Sequence, residues 1–344
     1  MPSEVLSQTI DRLLAGEDLG RDGASTALDA IMSGEAGDVQ TAGFLIALRA
    51  KGETAEELAG LAATVRSHAR PVTPPAGPFI DTCGTGGGRS TFNISTTSTF
   101  VVAGAGVAVA KHGNRSATSR CGSADVLEAL GARIDLDPDG ISRCLEETGL
   151  GFMFAPSHHP AFRHIVPVRR ALGVRTIFNL LGPLTNPAGA PRQLIGVADP
   201  AFLERMGQAL ALLGIERALL VRGRDGMDEV STGAVSDTVE VIDGAVRTST
   251  IDPAALGFAA PQDGVIAGGD PAHNADVLRA VLGGAPGPER DVVVLNAAAA
   301  IHVAGRAESL EEAVTAARAS IDEGAARERL DAFVATTRRL GGAV

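Results

Sequence analysis

Between Pro71 and Pro78 the chain changes character, and that break limits most sharply what it can fold into. Four prolines fall in Pro71-Val-Thr-Pro-Pro-Ala-Gly-Pro78. Such a run cannot continue a helix and reads as a linker. Ahead of it the sequence is helical with short breaks. Thr54-Ala-Glu-Glu57 has the spacing of a capping box, followed by Leu58, Leu61, Ala62 and Val65 at helical intervals. Gly34 to Gly37 and Lys51-Gly52 supply the stops. Beyond the linker, short apolar runs alternate with helical stretches. Strands are predicted over 79–82, 107–111, 152–155, 194–198, 218–222, 239–242 and 292–295. Helices are predicted over 124–130, 138–148, 200–213 and 310–323. The fold class expected is α/β: a small helical N-terminal domain plus a large α/β domain with a mostly parallel central sheet covered by helices. Residues 1–72 are expected to form the first and 73–344 the second.

Charge and composition narrow the function. The 344 residues carry 30 Lys and Arg against 41 Asp and Glu, a net charge of -11. The overall field therefore repels nucleic acid and anionic membrane surfaces, while a small anionic metabolite remains acceptable where basic groups converge. There is no Trp and no Tyr, which leaves only Phe to stack bases. Cys83, Cys121 and Cys144 are odd in number and never spaced Cys-x-x-Cys, against a disulfide framework or a zinc site. The first fifteen residues lack the basic and then apolar pattern of a signal peptide. The uncharged run 90–110 opens on Thr, Asn and Ser, a poor match to a hydrocarbon core of roughly 30 Å. A cytoplasmic location is expected.

Four clusters carry chemistry. The first, Asp81-Thr-Cys-Gly84-Thr-Gly-Gly-Gly88, leads from a strand through glycines to Thr91, Asn93, Ser95 and Thr96 at the start of a helix. Glycines allow close backbone approach, and amides at a helix start attract anions such as diphosphate. It is neither a dinucleotide fingerprint, since Arg89 stands where the third glycine belongs, nor a Walker loop. The second runs from Lys111-His112-Gly113-Asn114-Arg115-Ser116 to Ser123, rich in cations and hydroxyls after a strand. Open α/β sheets place ligands at such strand ends. The third, Asp225-Gly-Met-Asp228-Glu229, offers adjacent carboxylates of the kind Mg²⁺ uses beside substrate phosphates. The fourth joins His158-His159 to Arg169-Arg170 on a predicted helix, where a guanidinium can hold a carboxylate. The adjacent histidines lack metal-ligand spacing.

Taken in order, Gly84-Thr-Gly-Gly, Asn93-Ile-Ser-Thr96, Lys111-His-Gly-Asn114-Arg-Ser, Gly122-Ser-Ala-Asp125 through Gly131, Arg175-Thr-Ile-Phe-Asn179 through Pro187 and Asp225-Gly-Met-Asp-Glu229 resemble the anthranilate phosphoribosyltransferase family. The resemblance implies transfer of the phosphoribosyl group of 5-phosphoribosyl 1-diphosphate to anthranilate, in tryptophan biosynthesis, with Mg²⁺ as cofactor. It further implies a homodimer joined through the helical domain, which segments from about 165–187 complete. By motif, Gly84, Gly87, Gly88, Thr91, Asn93, Ile94, Ser95, Thr96, Lys111, His112, Gly113, Asn114, Arg115, Ser116, Ala117, Thr118, Ser119 and Ser123 match the phosphoribosyl-diphosphate positions. Gly84, Asn114, Arg169, His112 and His159 match those at anthranilate, and Ser95, Asp228 and Glu229 those at the metal. One departure stands out. Gly88 occupies the place where the family commonly has Asp, and the stretch to Thr91 is one residue shorter. Two other readings remain open at this level: a pyrimidine nucleoside phosphorylase-like enzyme, which also works at a ribosyl anomeric carbon, and a non-catalytic paralogue that binds nucleic acid.

Overall fold

The computed structural model describes residues 2–116, 120–262 and 264–342. Its first elements are α1 (Glu4–Leu14), α2 (Gly20–Met32), α3 (Asp38–Lys51) and α4 (Ala55–Ser67). The Thr54 capping box forms: its side chain accepts from the Glu57 N–H, and Glu57 accepts from the Thr54 N–H. Helix α2 packs on α4 and α1 on α3. Gly60 lets α2 and α4 touch, since a Cβ there would lie 2.1 Å from the Arg21 carbonyl oxygen.

After the linker come β1 (Phe79–Gly84), α5 (Ile94–Gly104), β2 (Ala108–Gly113), α6 (Ser123–Ala129), α7 (Pro138–Thr148) and β3 (Leu150–Phe154). The chain then returns to the helical bundle through α8 (Ala155–His158), α9 (Val166–Leu172) and α10 (Phe178–Leu181). Ile165, Val168, Ile177, Phe178 and Leu181 from this return share one buried core with Leu28, Phe44, Leu58 and Leu61. The remainder is β4 (Arg192–Gly196), α11 (Leu203–Leu212), β5 (Arg217–Gly223), β6 (Ser236–Ile242), β7 (Ala245–Ile251), α12 (Pro271–Leu282), α13 (Pro288–Val303), α14 (Leu310–Asp322) and α15 (Ala325–Leu340).

The sheet order is β3-β2-β1-β4-β5-β6-β7. The first five strands are parallel, and β6 and β7 are antiparallel. Side chains alternate between the faces, so Leu194 and Leu219 enter the core under α5 and α13 while Ile195 and Leu220 enter the core shared with the bundle. Both faces are thereby covered, which is what a parallel sheet requires.

One predicted strand is corrected. Residues 292–295 lie in α13, where the apolar run continues through Ala297–Ile301 and is buried on every side. A helix enclosed all round loses its amphipathic period and mimics a buried strand. Conversely, β7 lay outside the predicted strands because its residues are polar and mostly exposed. Its signal is Asp243-Gly244, both at positive φ (47° and 82°), the two-residue turn that joins a hairpin.

Candidate active site

Between β1 and β4 the strand order reverses, so the loops leaving their C-terminal ends diverge and open a crevice. Gly84 and Gly196 face each other across that point. Gly196 is required there, because a Cβ would fall 1.7 Å from the Asp228 carbonyl oxygen. The glycine loop rises with Gly86 and Gly87 at φ 64° and 90°, a region closed to most side chains. It is tied on both sides: Thr85 N–H donates to the Gly196 carbonyl at 2.9 Å and Arg89 N–H to the Gly226 carbonyl at 2.9 Å. Gly88 packs on Asp228 so closely that a Cβ would lie 2.3 Å from Oδ1. Gly88 therefore offers backbone only, set against the acidic loop.

Beneath the loops lies a buried charged group. Asp81 on β1 accepts from His112 N–H at 3.1 Å and from Asn186 Nδ2 at 2.8 Å. Lys111 on β2 donates from Nζ to the Thr82 carbonyl. Burial raises the Asp81 pKa and lowers that of Lys111, while the charge of each opposes the other's shift. Burial, then the neighbouring Asp228, pushes Glu229 up to about 8, with Lys111 and the Ser95 N–H acting the opposite way. Asp228 is also raised by burial, opposed by the charge of Arg175 and the Gly88 backbone. Two carboxylates that resist ionising together, beside the first turn of α5, form an acidic corner that a cation would relieve.

The opposite wall is aromatic. His112 Nδ1 lies 3.2 Å from the Gly182 carbonyl and its Nε2 lies 3.3 Å from His159 Nε2. A carbonyl only accepts, so a neutral His112 carries its proton on Nδ1 and takes a hydrogen bond from His159 Nε2–H. Burial first, then the charge of His159, lowers His112 to about 3, and burial, then His158, lowers His159 to about 4. Phe162 stacks on His159 at 5.2 Å and meets Phe178 edge-on at 5.5 Å, and the half-buried Arg169 guanidinium stands 5.6 Å over Phe178. The wall thus ends in a positive charge.

Other expected residues have different surroundings. Arg115 turns away to pair with Asp125 and Glu128. Asp125 accepts from Gly122 N–H at 2.8 Å and Ser116 N–H at 3.2 Å, and Ser123 Oγ bridges the Asn114 backbone. Asn93 joins Asn274 to the Cys121 carbonyl. Ile94 is buried in the core, leaving its backbone alone for the site. Thr96 Oγ1 is buried without a partner among the described residues. Thr91 lies under Gly268, where a Cβ would come within 2.3 Å of its carbonyl oxygen. Ala117, Thr118 and Ser119 lie outside the described residues. Sequence reading assigned no role to Asp81, Asn186 and Arg175, whose partners are distant along the chain.

Residues 7–69 match the helical bundle domain of a glycosyl transferase family, and residues 76–327 match its a/b domain. Bundle, sheet and cleft thus define the class, a two-part glycosyltransferase. Anthranilate phosphoribosyltransferase of Moorella thermoacetica is 52% identical over 332 residues, covering 96% of this chain and 98% of that protein. The crystal structure of the Thermus thermophilus enzyme of that name superposes with a TM-score of 0.90 at 43% identity, covering 96% and 99% of the two chains. That from Saccharomyces cerevisiae, in complex with PRPP and Mg, gives a TM-score of 0.90 at 27% identity, covering 98% and 99%. The chain belongs to the anthranilate phosphoribosyltransferase family.

Proposed function

We propose that the chain transfers the phosphoribosyl group of 5-phosphoribosyl 1-diphosphate (PRPP) to the amine of anthranilate, giving N-(5-phosphoribosyl)anthranilate and diphosphate in tryptophan biosynthesis. One observation carries the reading: the glycine loop and acidic corner at the sheet's switch point are bridged by Arg175 to the segment that carries the aromatic cluster and Arg169. One side suits a diphosphate with its metal, the other a flat ring bearing a carboxylate.

Mg²⁺ fits the acidic corner. Its protein donors would be Asp228, Glu229 and the Ser95 hydroxyl, all hard oxygens, and no group of three His, Cys, Asp or Glu side chains that could hold a metal converges among the described residues. The remaining coordination would fall to water and diphosphate, as Mg²⁺ ordinarily arranges. When bound, the metal supplies positive charge to the departing diphosphate.

The chain's own groups do the rest. Cleavage at the anomeric carbon leaves positive charge on the ribosyl ring and negative charge on diphosphate. Lys111 and the glycine-loop amides of Gly86 and Gly87, beside the opening of α5 at Asn93–Thr96, would be donors for the latter. The phosphoribosyl moiety would lie along Gly84–Gly88, Thr91, Lys111 to Ser116 and Ser123. Arg169 would hold the anthranilate carboxylate, with Asn114, Gly84, His112 and His159 around the ring. The aromatic amine is unprotonated at neutral pH, so positioning rather than a strong base is asked of the protein.

We further propose a homodimer through the helical side. Val5, Leu14, Val39, Ile46, Val166 and Val174 are exposed there, on α1, α3 and the α9 region, which pack side by side. The free thiols of Cys83, Cys121 and Cys144 suit a reducing cytoplasm. Mass spectrometry of the products tests the reaction. Phosphoribosylated anthranilate and diphosphate are expected; phosphate-dependent cleavage of pyrimidine nucleosides would overturn the reading.

A further inference from the structure

The glycine loop has few means of holding its shape. Gly86 and Gly87 bring no side chains, and the Thr85 and Arg89 bonds fix only its two ends, both to the α/β side. At its crest the Gly86 carbonyl takes the Thr85 hydroxyl at 3.4 Å, and a further bond arrives from across the cleft. Arg175 Nη2 donates to the Gly86 carbonyl at 2.9 Å. The guanidinium packs against Gly87, where a Cβ would come within 2.3 Å of Nη1. Arg175 sits between α9 and α10, on the segment that completes the helical bundle, and its own carbonyl accepts from Arg49 Nη1 at the end of α3. Its charge reaches Asp228 as well. A line of contacts therefore runs from α3 through Arg49 and Arg175 to the loop crest.

We propose that Arg175 is a positioning residue for phosphoribosyl-diphosphate binding: reaching over from the helical side, it holds the crest of the glycine loop in its binding shape. This rests on the proposed function for the identity of the ligand. It gives the two arginines of the 169–175 stretch separate duties, Arg169 toward anthranilate and Arg175 toward the diphosphate loop. Arg175 is exposed, so its removal leaves the core intact. A Lys keeps the charge and one donor but loses the planar fork that packs against Gly87.

Two readouts on Arg175→Ala and Arg175→Lys test the proposal. Hydrogen exchange of the ligand-free protein should speed up in peptides covering 84–92 in the Ala variant, with Tm unchanged. Calorimetric titration with PRPP and Mg²⁺ should show binding weakened by about 10-fold, partly restored in the Lys variant. Arg49→Ala should act in the same direction, more weakly, and add nothing to Arg175→Ala. Unchanged loop exchange with unchanged PRPP affinity would overturn the proposal, and so would a fall in Tm with faster exchange throughout α9 and α10. Failure of the function reading looks different: wild-type protein would bind PRPP yet consume no anthranilate, while the loop effects of Arg175 persisted.

Discussion

Arg169 and His159 divide the aromatic wall between charge and fixed proton placement. The Arg169 guanidinium over Phe178 is half-buried, so a carboxylate reaching it forms a charge-assisted hydrogen bond away from bulk water. Arg169→Ala should lower kcat/KM for anthranilate by about 10- to 100-fold, while the KM for PRPP stays put. Steady-state kinetics with each substrate varied checks this, and equal losses for both would contradict it. The histidines make a pH prediction. Their folded pKa values, about 3 and about 4, lie below the ordinary 6.5. The unfolded chain therefore binds more protons between those values, and stability falls as pH drops from about 6.5 toward 4. Denaturant titrations across that range should show the decline, and His159→Gln should flatten it; an unchanged slope would refute the assignment. At this scale the sequence was readable where chemistry is local. Asp228-Glu229 announces itself by adjacency after a strand. Asp81 does not, because its partner Asn186 is 105 residues away.

Glycines at strand ends decide how the elements meet. Gly196 closes β4 against the backbone of the acidic loop, so Gly196→Ala forces that loop to move. Overpacking of this kind costs about 1–3 kcal/mol. Lower Tm together with weaker Mg²⁺-dependent turnover is expected, whereas an active variant of wild-type stability would show the contact to be soft. The same scale shows what periodicity can and cannot reveal. The parallel strands β1 to β5 were legible as short apolar runs alternating with helical stretches. Helix α13 was not, since burial on all sides erased its period. Strand β7 was not read either; the one signal for it, the Asp243-Gly244 turn, is independent of hydrophobicity.

The whole molecule is two cores sharing one sheet. The bundle does not close with α1–α4 alone; it needs 160–184, and its core runs on into Ile195 and Leu220 of the sheet. The linker is pinned to that return, with Arg70 N–H on the His158 carbonyl at 2.8 Å and Val72 N–H on the Pro187 carbonyl at 3.1 Å. The prolines marked the first crossing between the two parts. The return crossing left no compositional mark, and only the family resemblance pointed to it. The exposed face of α3 carries Val39, 87% exposed, and Ile46 one heptad on. Light scattering should give twice the 35.0 kDa chain mass, and Val39→Asp with Ile46→Asp should give monomers. A monomeric wild type would contradict the interface.

The central claim is that the cleft joins PRPP, its metal and anthranilate. Loss of anthranilate fluorescence measures this directly, and a chain without Trp or Tyr contributes almost no emission of its own. Fluorescence should fall only when anthranilate, PRPP and Mg²⁺ are all present, and the fall should vanish in Asp228→Asn with Glu229→Gln. Stable fluorescence in the complete mixture, or undiminished turnover in the double variant, would contradict the account.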